Sequence, residues 1–332
     1  MKFYLNIIVL LVACASAACG NPKAKYRVTI LDETGKPVVG VGCSGSFEEL
    51  NPNGVGLKAH YLSADTDENG IAILEGETRN YEQWISTGAP GYHGAGIRRY
   101  WFAGLKDQKW QPWPIEVELR LKKKMRPHPM YVVSYAQEKL VFPGGDFSAP
   151  LGFDLIERDW VAPVGKGKIA DFILQGTRLE AKEKNGHPAG LLTLTFSNKK
   201  DGMIVMDDPG GSNLVGPQEA PLDGYQDKVV FPNWQARRNL MSDEEALEPA
   251  VPKACVFRVR TVLDEKGQIV SARYGKLDGI MEFSMTPIEN FQITRVGVTY
   301  YLNGKDNDRN LEWDEKTNLF KNLDRQLGVQ RP

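Results

Sequence analysis

Cysteine and histidine are both scarce in this chain of 332 residues, with four of each. Cys14 and Cys19 lie near the N-terminus, so only Cys43 and Cys255 remain in the body of the protein. Neither has a Cys-x-x-Cys partner or a nearby histidine, and the histidines show no metal-ligand spacing. The sequence therefore predicts no metal site and no cofactor. It leaves two interpretations of Cys43 and Cys255, which are a disulfide that ties the two halves together or two separate buried thiols.

Neither sign of charge dominates, and long apolar runs are absent after the N-terminus. The 41 basic and 42 acidic residues give a formal net charge of -1, which offers no reason to expect nucleic acid as a partner. No later stretch approaches the roughly 18–20 apolar residues that a membrane-spanning helix requires. With 33 glycines and 20 prolines, the composition favours many short strands joined by turns.

The N-terminal residues 1–19 carry the pattern of an export signal. Lys2 precedes an apolar run over residues 7–13, and small residues stand directly before Cys19. This ending resembles a bacterial lipoprotein box, in which the Cys19 thiol would receive the lipid; lipidation of Cys14 and ordinary cleavage after Ala17 are the alternatives. We therefore expect an exported protein at the periplasmic or outer-membrane face. Its membrane attachment would be the N-terminal lipid only, and without that lipid it would be secreted.

Residues 24–122 predict a β-sandwich domain of seven short strands. Apolar residues alternate with polar ones over residues 26–31, and this pattern ends at a turn at residues 32–35. The same turn pattern occurs again at residues 67–70. Seven strands in about a hundred residues is a number typical of sandwiches. The predicted strands span residues 26–31, 38–44, 58–64, 70–75, 82–87, 97–102 and 114–121.

The turn residues of this domain also carry a family resemblance. The first part of the pattern is Val28-x-Ile30-x-Asp32-x-x-Gly35-x-Pro37-Val38-x-Gly40, and the second runs from Ala64 to Ala72. Together they resemble the carboxypeptidase-regulatory-like, or transthyretin-like, β-sandwich modules of bacterial envelope proteins. The resemblance implies a sandwich fold in an extracytoplasmic setting, and it carries over no catalytic residue.

A basic stretch at residues 123–129, which contains two prolines, is predicted to be a stiff, solvated linker. Residues 130–332 predict a second β-rich domain of no recognised family. A capping box at residues 242–245 would open a short helix, and apolar spacing over residues 319–327 predicts a closing helix. The predicted fold class is mainly β, with two β-sandwich-like domains and one or two short helices in the second. Strands of this domain are predicted at residues 130–134, 168–174, 190–197, 202–206, 255–263, 268–274, 280–285 and 292–302.

Aromatic residues concentrate between residues 81 and 113, which contain four of the seven tryptophans. Exposed indole and phenol rings suit stacking under a sugar ring or packing at a protein interface, whereas buried rings would fill the core of a small sandwich. Residues 110–113 look like an exposed loop. The candidate ligand-binding residues are Trp110, Trp113, Trp101 and Tyr92.

Catalytic motifs are not apparent in the sequence. It contains neither a Gly-x-Ser-x-Gly elbow nor a His-Glu-x-x-His motif. Asp154, Glu157, Asp159 and Asp171 could contribute to a glycosidase acid pair, but sequence alone neither nominates nor excludes them. Residues 65–70 begin like a calcium loop without its closing glutamate, and a hairpin turn accounts for the same residues.

These patterns favour a non-catalytic binding or scaffolding role in the cell envelope, with a glycan or another envelope protein as the partner. One alternative is a secreted polysaccharide-acting hydrolase whose acid pair lies in the second domain. Another is a purely structural envelope tether. A flat aromatic strip would favour binding, whereas a concave cleft with two facing carboxylates would favour hydrolysis.

Overall fold

The computed structural model describes residues 21–51, 55–79, 82–135, 140–143, 147–179, 188–208, 210–240, 253–288 and 291–329. The predicted export signal with Cys14 and Cys19 lies outside the described residues, as does the predicted capping box at 242–245. Among the described residues, no helix is long and apolar enough to cross a membrane.

The first unit of the structure is built from two sheets. In one sheet, β1 pairs with β4 on one side and, in parallel, with β9 and β8 on the other, and β7 pairs with β8. The other sheet has the strand order β3-β2-β5-β6. The strands are β1 (Lys23–Asp32), β2 (Gly42–Leu50), β3 (Leu57–Asp65), β4 (Ile71–Glu77), β5 (Glu82–Thr87), β6 (Ala95–Trp101), β7 (Gly104–Lys106), β8 (Lys109–Gln111) and β9 (Ile115–Leu121).

The two sheets of this unit share one core. Tyr26, Val28 and Ile30 alternate along β1 and are fully buried, and they cluster with Cys43 and Phe47 from β2. The rings of Tyr26 and Phe47 meet edge to face with their centroids 6.1 Å apart. Period-two alternation thus places one face of each sheet inward and leaves the other face to solvent.

The second unit contains three sheets. Their strand orders are β16-β18-β19-β22-β10-β23, β13-β12-β14-β15-β17 and β11-β21-β20. The elements are β10 (His128–Ser134), β11 (Leu140–Val141), β12 (Leu151–Asp154), β13 (Asp159–Trp160), β14 (Phe172–Arg178), β15 (Gly190–Thr195), β16 (Gly202–Asp207), β17 (Lys228–Pro232), α1 (Trp234–Leu240), β18 (Lys253–Leu263), β19 (Ile269–Leu277), β20 (Glu282–Ile288), β21 (Phe291–Gly297), β22 (Thr299–Asn303), β23 (Trp313–Asn318) and a 3-10 turn (Arg325–Leu327).

The main core of the second unit lies between these sheets. Phe172 from β14 meets Phe257 from β18 edge to face, with ring centroids 5.1 Å apart. Tyr300 from β22 belongs to the same cluster, and its hydroxyl donates to the Leu155 carbonyl at 2.6 Å. The predicted fold class is confirmed, since the described chain is mainly β, with sheets that pack in sandwich-like layers and one short α-helix.

Two predictions about local structure are wrong. The single strand predicted over residues 292–302 is two strands, β21 and β22, which belong to different sheets. The closing helix predicted over residues 319–327 is reduced to the 3-10 turn, although Phe320 and Leu323 still pack against the core. The reason lies in Asn318, whose side chain bonds both backbone groups of Val132 and also accepts from the Phe320 amide, so the chain bends before a helix can begin.

The basic stretch between the units is extended and residues 123–127 are exposed, as expected, but its backbone is also hydrogen-bonded to both units. The amides of Met125 and Arg126 both donate to the carboxylate of Glu312, which is fully buried in the second unit. The Lys124 amide donates to the Gly91 carbonyl of the first unit at 2.8 Å. The segment is therefore bonded to both units. The sequence did not predict these bonds, because a pattern of charges does not reveal that a buried carboxylate lies beneath the segment.

Candidate binding surface

The three nominated aromatic side chains that the structure describes, Trp110, Trp113 and Tyr92, lie in different local environments. Trp110 lies in β8 rather than in an exposed loop, and its ring stacks on Phe102 with centroids 4.8 Å apart. Its indole N–H donates to the Thr78 carbonyl at 2.8 Å, so the polar edge of the ring is already used. Tyr92 lies in the loop before β6 and forms an isolated bridge with Lys123.

The other two nominated tryptophans lie at separate points of the first unit. Trp113 is half-buried in the segment after β8, and the Nζ atoms of Lys109 and Lys25 lie 5.0 and 5.9 Å from its ring centroid. The ring therefore contacts cations that it could hold by cation–π attraction. Trp101 ends β6, and its side chain lies outside what the structure describes.

A different pair of aromatic rings lies on the solvent-facing side of the β3-β2-β5-β6 sheet, which we call the open face. Ser46 of β2 is paired with Tyr61 of β3 on one side and with Trp84 of β5 on the other. Cross-strand partners project to the same face, so both rings flank the small Ser46 side chain. Tyr61 is 74% exposed and Trp84 is 54% exposed. Two inter-strand spacings place the rings roughly 10 Å apart.

A row of hydroxyl side chains runs beside the two rings. Ser44 of β2 is paired with Ser63 of β3 and with Ser86 of β5, two residues along from the aromatic row. The hydroxyl oxygens of Ser44 and Ser63 lie 2.9 Å apart and share one hydrogen bond. Each hydroxyl can both donate and accept, so the row retains hydrogen-bonding capacity toward solvent.

The open face becomes apolar towards the tip of the β2–β3 hairpin. Glu48 is paired with Ala59, and beyond them Leu50 is paired with Leu57, which is 46% exposed. The face therefore combines flat aromatic surface, hydroxyl groups and a small aliphatic end. This combination suits a ligand that is itself both apolar and rich in hydroxyl groups.

Clustering of aromatic residues in the sequence could not find this pair. Trp84 lies in the aromatic-rich stretch, but Tyr61 lies more than twenty residues earlier. Strand register brings the two together, and register is fixed only when the whole sheet forms. The only sequence pattern that indicated an exposed Tyr61 was the alternation in β3, where Tyr61 faces outward between His60 and Leu62.

Two of the candidate acid residues in the second unit are held in a buried ion-pair cluster. Arg260 Nη2 lies 2.8 Å from both Asp154 Oδ1 and Asp171 Oδ2, and both aspartate side chains are almost completely shielded from solvent. Burial raises the pKa of Asp171 despite the opposing effect of Arg260. Burial also acts to raise the pKa of Asp154, but four backbone N–H donors outweigh it and leave the pKa lowered.

The other two candidate carboxylates are also engaged. Glu157 pairs with Lys168, and Asp159 accepts from the amides of Trp160 and Lys166 in a turn. These bonds give both carboxylates a structural role that requires no catalytic function. None of the four faces another across a cleft as a free acid pair.

A cleft of about 320 Å³ opens where the first unit meets the second. Three carboxylates line it, and each is engaged: Glu33 by the Lys123 amide, Asp207 by Lys253, and Asp208 by both Lys122 and the Gly216 amide. The carboxylates that line this cleft are therefore engaged with other groups, unlike the two free, facing carboxylates expected in the cleft of a glycoside hydrolase.

The hairpin interpretation of residues 65–70 accounts for the geometry there. Asp67 Oδ1 accepts from the amides of Asn69 and Ile71, and Gly70 has a φ of 73°, in the left-handed region that favours glycine. Within the described ranges, no group of three or more histidine, cysteine or acidic side chains is placed to hold a metal.

The two internal cysteines are separate buried thiols. Cys43 belongs to the core of the first unit and Cys255 to the core of the second, and both are free. Burial raises the pKa of Cys43 to about 11 and that of Cys255 to about 12. Of the two interpretations, the structure has the two separate buried thiols and not the disulfide between Cys43 and Cys255.

Comparison with known proteins gives no family for this chain. No family model matches it. No curated protein matches it. Among solved structures, 3-chlorocatechol 1,2-dioxygenase from Rhodococcus opacus 1CP is similar over 32% of this chain and 61% of that chain, with 12% sequence identity and a TM-score of 0.24. A similarity of this size carries no argument about function.

Proposed function

We propose that this protein is an exported, lipid-anchored envelope protein that binds a glycan on the open face without cleaving it. The observation that carries the proposal is the pair of exposed rings, Tyr61 and Trp84, on either side of Ser46. A sugar ring has apolar C–H faces and a rim of hydroxyl groups. The aromatic rings would stack against those faces, and the adjacent serine row would bond the hydroxyl rim.

A glycan fits the open face better than a large apolar protein surface does. The Ser46 side chain separates the two rings, and Glu48 lies between the aromatic row and the aliphatic pair at the hairpin tip. The apolar groups are therefore interleaved with polar ones rather than joined in one continuous patch. Another envelope protein as the partner is the alternative that the binding experiment must distinguish.

In this proposal the first unit is a binding module of the kind that its turn residues resemble, a carboxypeptidase-regulatory-like module, and the second unit supports it. Engagement of Asp154 and Asp171 by Arg260 removes the main candidates for a hydrolytic acid pair. A non-catalytic role is therefore better supported than hydrolysis.

The proposal is tested by incubating residues 20–332 with a panel of host and bacterial glycans, while retention and product release are scored together. A chelator is included in half of the samples to reveal dependence on a metal. Retention without product release is the expected result. Product release would contradict the proposal, and capture of only a protein partner would replace the glycan with that partner.

The proposed anchor is tested separately. Cys19→Ala should abolish incorporation of a labelled fatty acid and move the protein from the membrane fraction to the soluble fraction, because the thiol that receives the lipid is lost. Cys14→Ala is the matched control and should change neither result. Labelling that persists in Cys19→Ala would show that lipid is attached elsewhere.

A further inference from the structure

The contact between the two units contains a histidine that is completely enclosed. His93, in the loop before β6, has an exposed fraction of 1%, and its Nε2 lies 2.7 Å from Oε1 of Glu312 in the second unit. Its other ring nitrogen, Nδ1, lies 3.6 Å from Oε1 of Glu315. Lys124 of the connecting segment pairs with the same Glu315 carboxylate at 2.8 Å.

Glu312 joins this histidine to the connecting segment. Its carboxylate accepts from His93 and also from the amides of Met125 and Arg126, at 2.7, 2.9 and 2.6 Å. One buried side chain of the second unit thus holds both the first unit and the chain that leads out of it. Any change that weakens the His93–Glu312 contact acts directly on the attachment of the two units.

A lysine makes the second buried contact across the same boundary. Lys122, directly after β9, extends its Nζ into the second unit, where it lies 2.9 Å from the Leu214 carbonyl, 2.6 Å from the Gly216 carbonyl and 3.4 Å from Asp208. Backbone bonds from the Asn213 amide to the Gly94 carbonyl and from the Arg120 amide to the Gly210 carbonyl add to the contact. Docking on the second unit therefore encloses the His93 side chain and covers most of the Lys122 side chain.

We propose that this boundary is a pH-sensitive joint, which holds the two units together in neutral solution and loosens when the solution is acidified. The geometric basis is that His93 has no access to water while the units are docked and regains it when they separate. A proton that binds to His93 in the docked state adds a charge in an enclosed site, where Glu312, Glu315 and Lys124 are the charged groups that face it.

The direction of the effect follows from proton linkage. Burial lowers the pKa of His93 below its usual value of 6.5, although the hydrogen bond and charge of Glu312 act in the opposite direction. The separated state therefore binds the proton more readily than the docked state does. Docking is fully favoured above about pH 6.5 and weakens as the pH falls below that value.

The test is amide hydrogen exchange of residues 20–332 between pH 8 and pH 5.5, with correction for the intrinsic rates. The reporters are the amides of Asn213 and Gly96, because they donate across the boundary to the Gly94 and Gly211 carbonyls in the docked state. We expect their protection to fall at least tenfold below pH 6.5, while amides in the core strands β1 and β18 keep theirs. Equal protection at both pH values would overturn the proposal, and so would loss of protection throughout the chain.

Two further measurements tie the effect to His93. His93→Gln cannot gain a proton in this range and should retain protection at pH 5.5, whereas the control His60→Gln should lose it as the unchanged protein does. If His93→Gln does not fold, an NMR titration of the histidine rings in the unchanged protein decides the matter. A His93 midpoint above 6.5 would overturn the proposal, because docking would then favour the protonated ring.

Discussion

Lys276 in β19 is a buried cation without a hydrogen-bond partner in the described structure. Its side chain is 1% exposed, and its Nζ makes no hydrogen bond. The nearest favourable contact is the Tyr301 ring, whose centroid lies 4.8 Å from Nζ. Burial lowers the pKa of Lys276 to about 7, and the charge of Lys122 acts in the same direction. Such a residue opposes folding at neutral pH, since an enclosed ammonium loses its hydration.

Replacement of this lysine should therefore stabilise the protein. Lys276→Met is expected to raise the free energy of unfolding at pH 7 by about 1–4 kcal/mol, as seen when buried charges give way to apolar side chains of similar volume. The stability gained by Lys276→Met should shrink as the pH rises from about 7 towards 10.5. Over that range the Lys276 amine also loses its proton in the unfolded state, so the protonated amine no longer favours unfolding.

Urea unfolding at several pH values measures this difference. Lys228→Met, at an exposed position of β17, is the control and should show no such pH dependence. A variant of Lys276 that is less stable than the unchanged protein across the whole range would contradict the assignment of an unpartnered amine.

At the scale of elements, β18 is irregular at Arg260. This residue has a φ of 56°, which is uncommon for any residue with a side chain, and it lies where the pairing of β18 with β19 shifts register between Val259 and Val262. The irregularity points the guanidinium at Asp154 and Asp171, which join β12 and β14 to β18. Two sheets of the second unit are thus linked by one arginine.

Loss of this arginine should destabilise the second unit strongly. Arg260→Ala leaves two enclosed carboxylates without their cation and should cost about 3–5 kcal/mol of unfolding free energy. Arg273→Ala, which removes an ion pair with the exposed Asp306, is the matched control and should cost no more than about 1 kcal/mol. Similar costs for the two variants in chemical denaturation would show that the cluster has no special role.

The sequence predicted most strands of this fold, because alternation and turn residues are local signals. The strand predicted at residues 82–87 agrees with β5, and the turns at Gly35 and Gly70 both take a positive φ. The sequence could not predict that β21 and β22 would enter different sheets, or that Tyr61 would align with Trp84. Those outcomes depend on pairing between distant strands, which no local pattern encodes.

At the scale of the whole molecule, the two units are attached by buried polar contacts rather than by a free linker. Glu312 is completely enclosed and accepts three hydrogen bonds from the first unit and the connecting segment. Such an attachment gives the open face a fixed orientation relative to the second unit. A fixed binding surface suits the proposed role in glycan binding.

Removal of the charge at position 312 should loosen that attachment. Glu312→Gln places an amide N–H₂ group among three donors and should cost about 2–4 kcal/mol, the loss of charge-assisted hydrogen bonds in a buried site. Limited proteolysis should then cleave within residues 122–127. The exposed Glu219→Gln is the control and should leave the segment resistant. A resistant Glu312→Gln would contradict the view that this carboxylate holds the units together.

Calorimetric titration of residues 20–332 with a glycan retained in the panel tests whether the open face is the binding site. Trp84→Ala and Tyr61→Ala should each weaken binding at least tenfold while the unfolding temperature stays within a few degrees, because both rings are exposed and contribute little to the core. Trp234→Ala, at an exposed position of the second unit, should bind as the unchanged protein does. If Trp84→Ala and Tyr61→Ala keep full affinity, the glycan does not bind at the open face and the account fails.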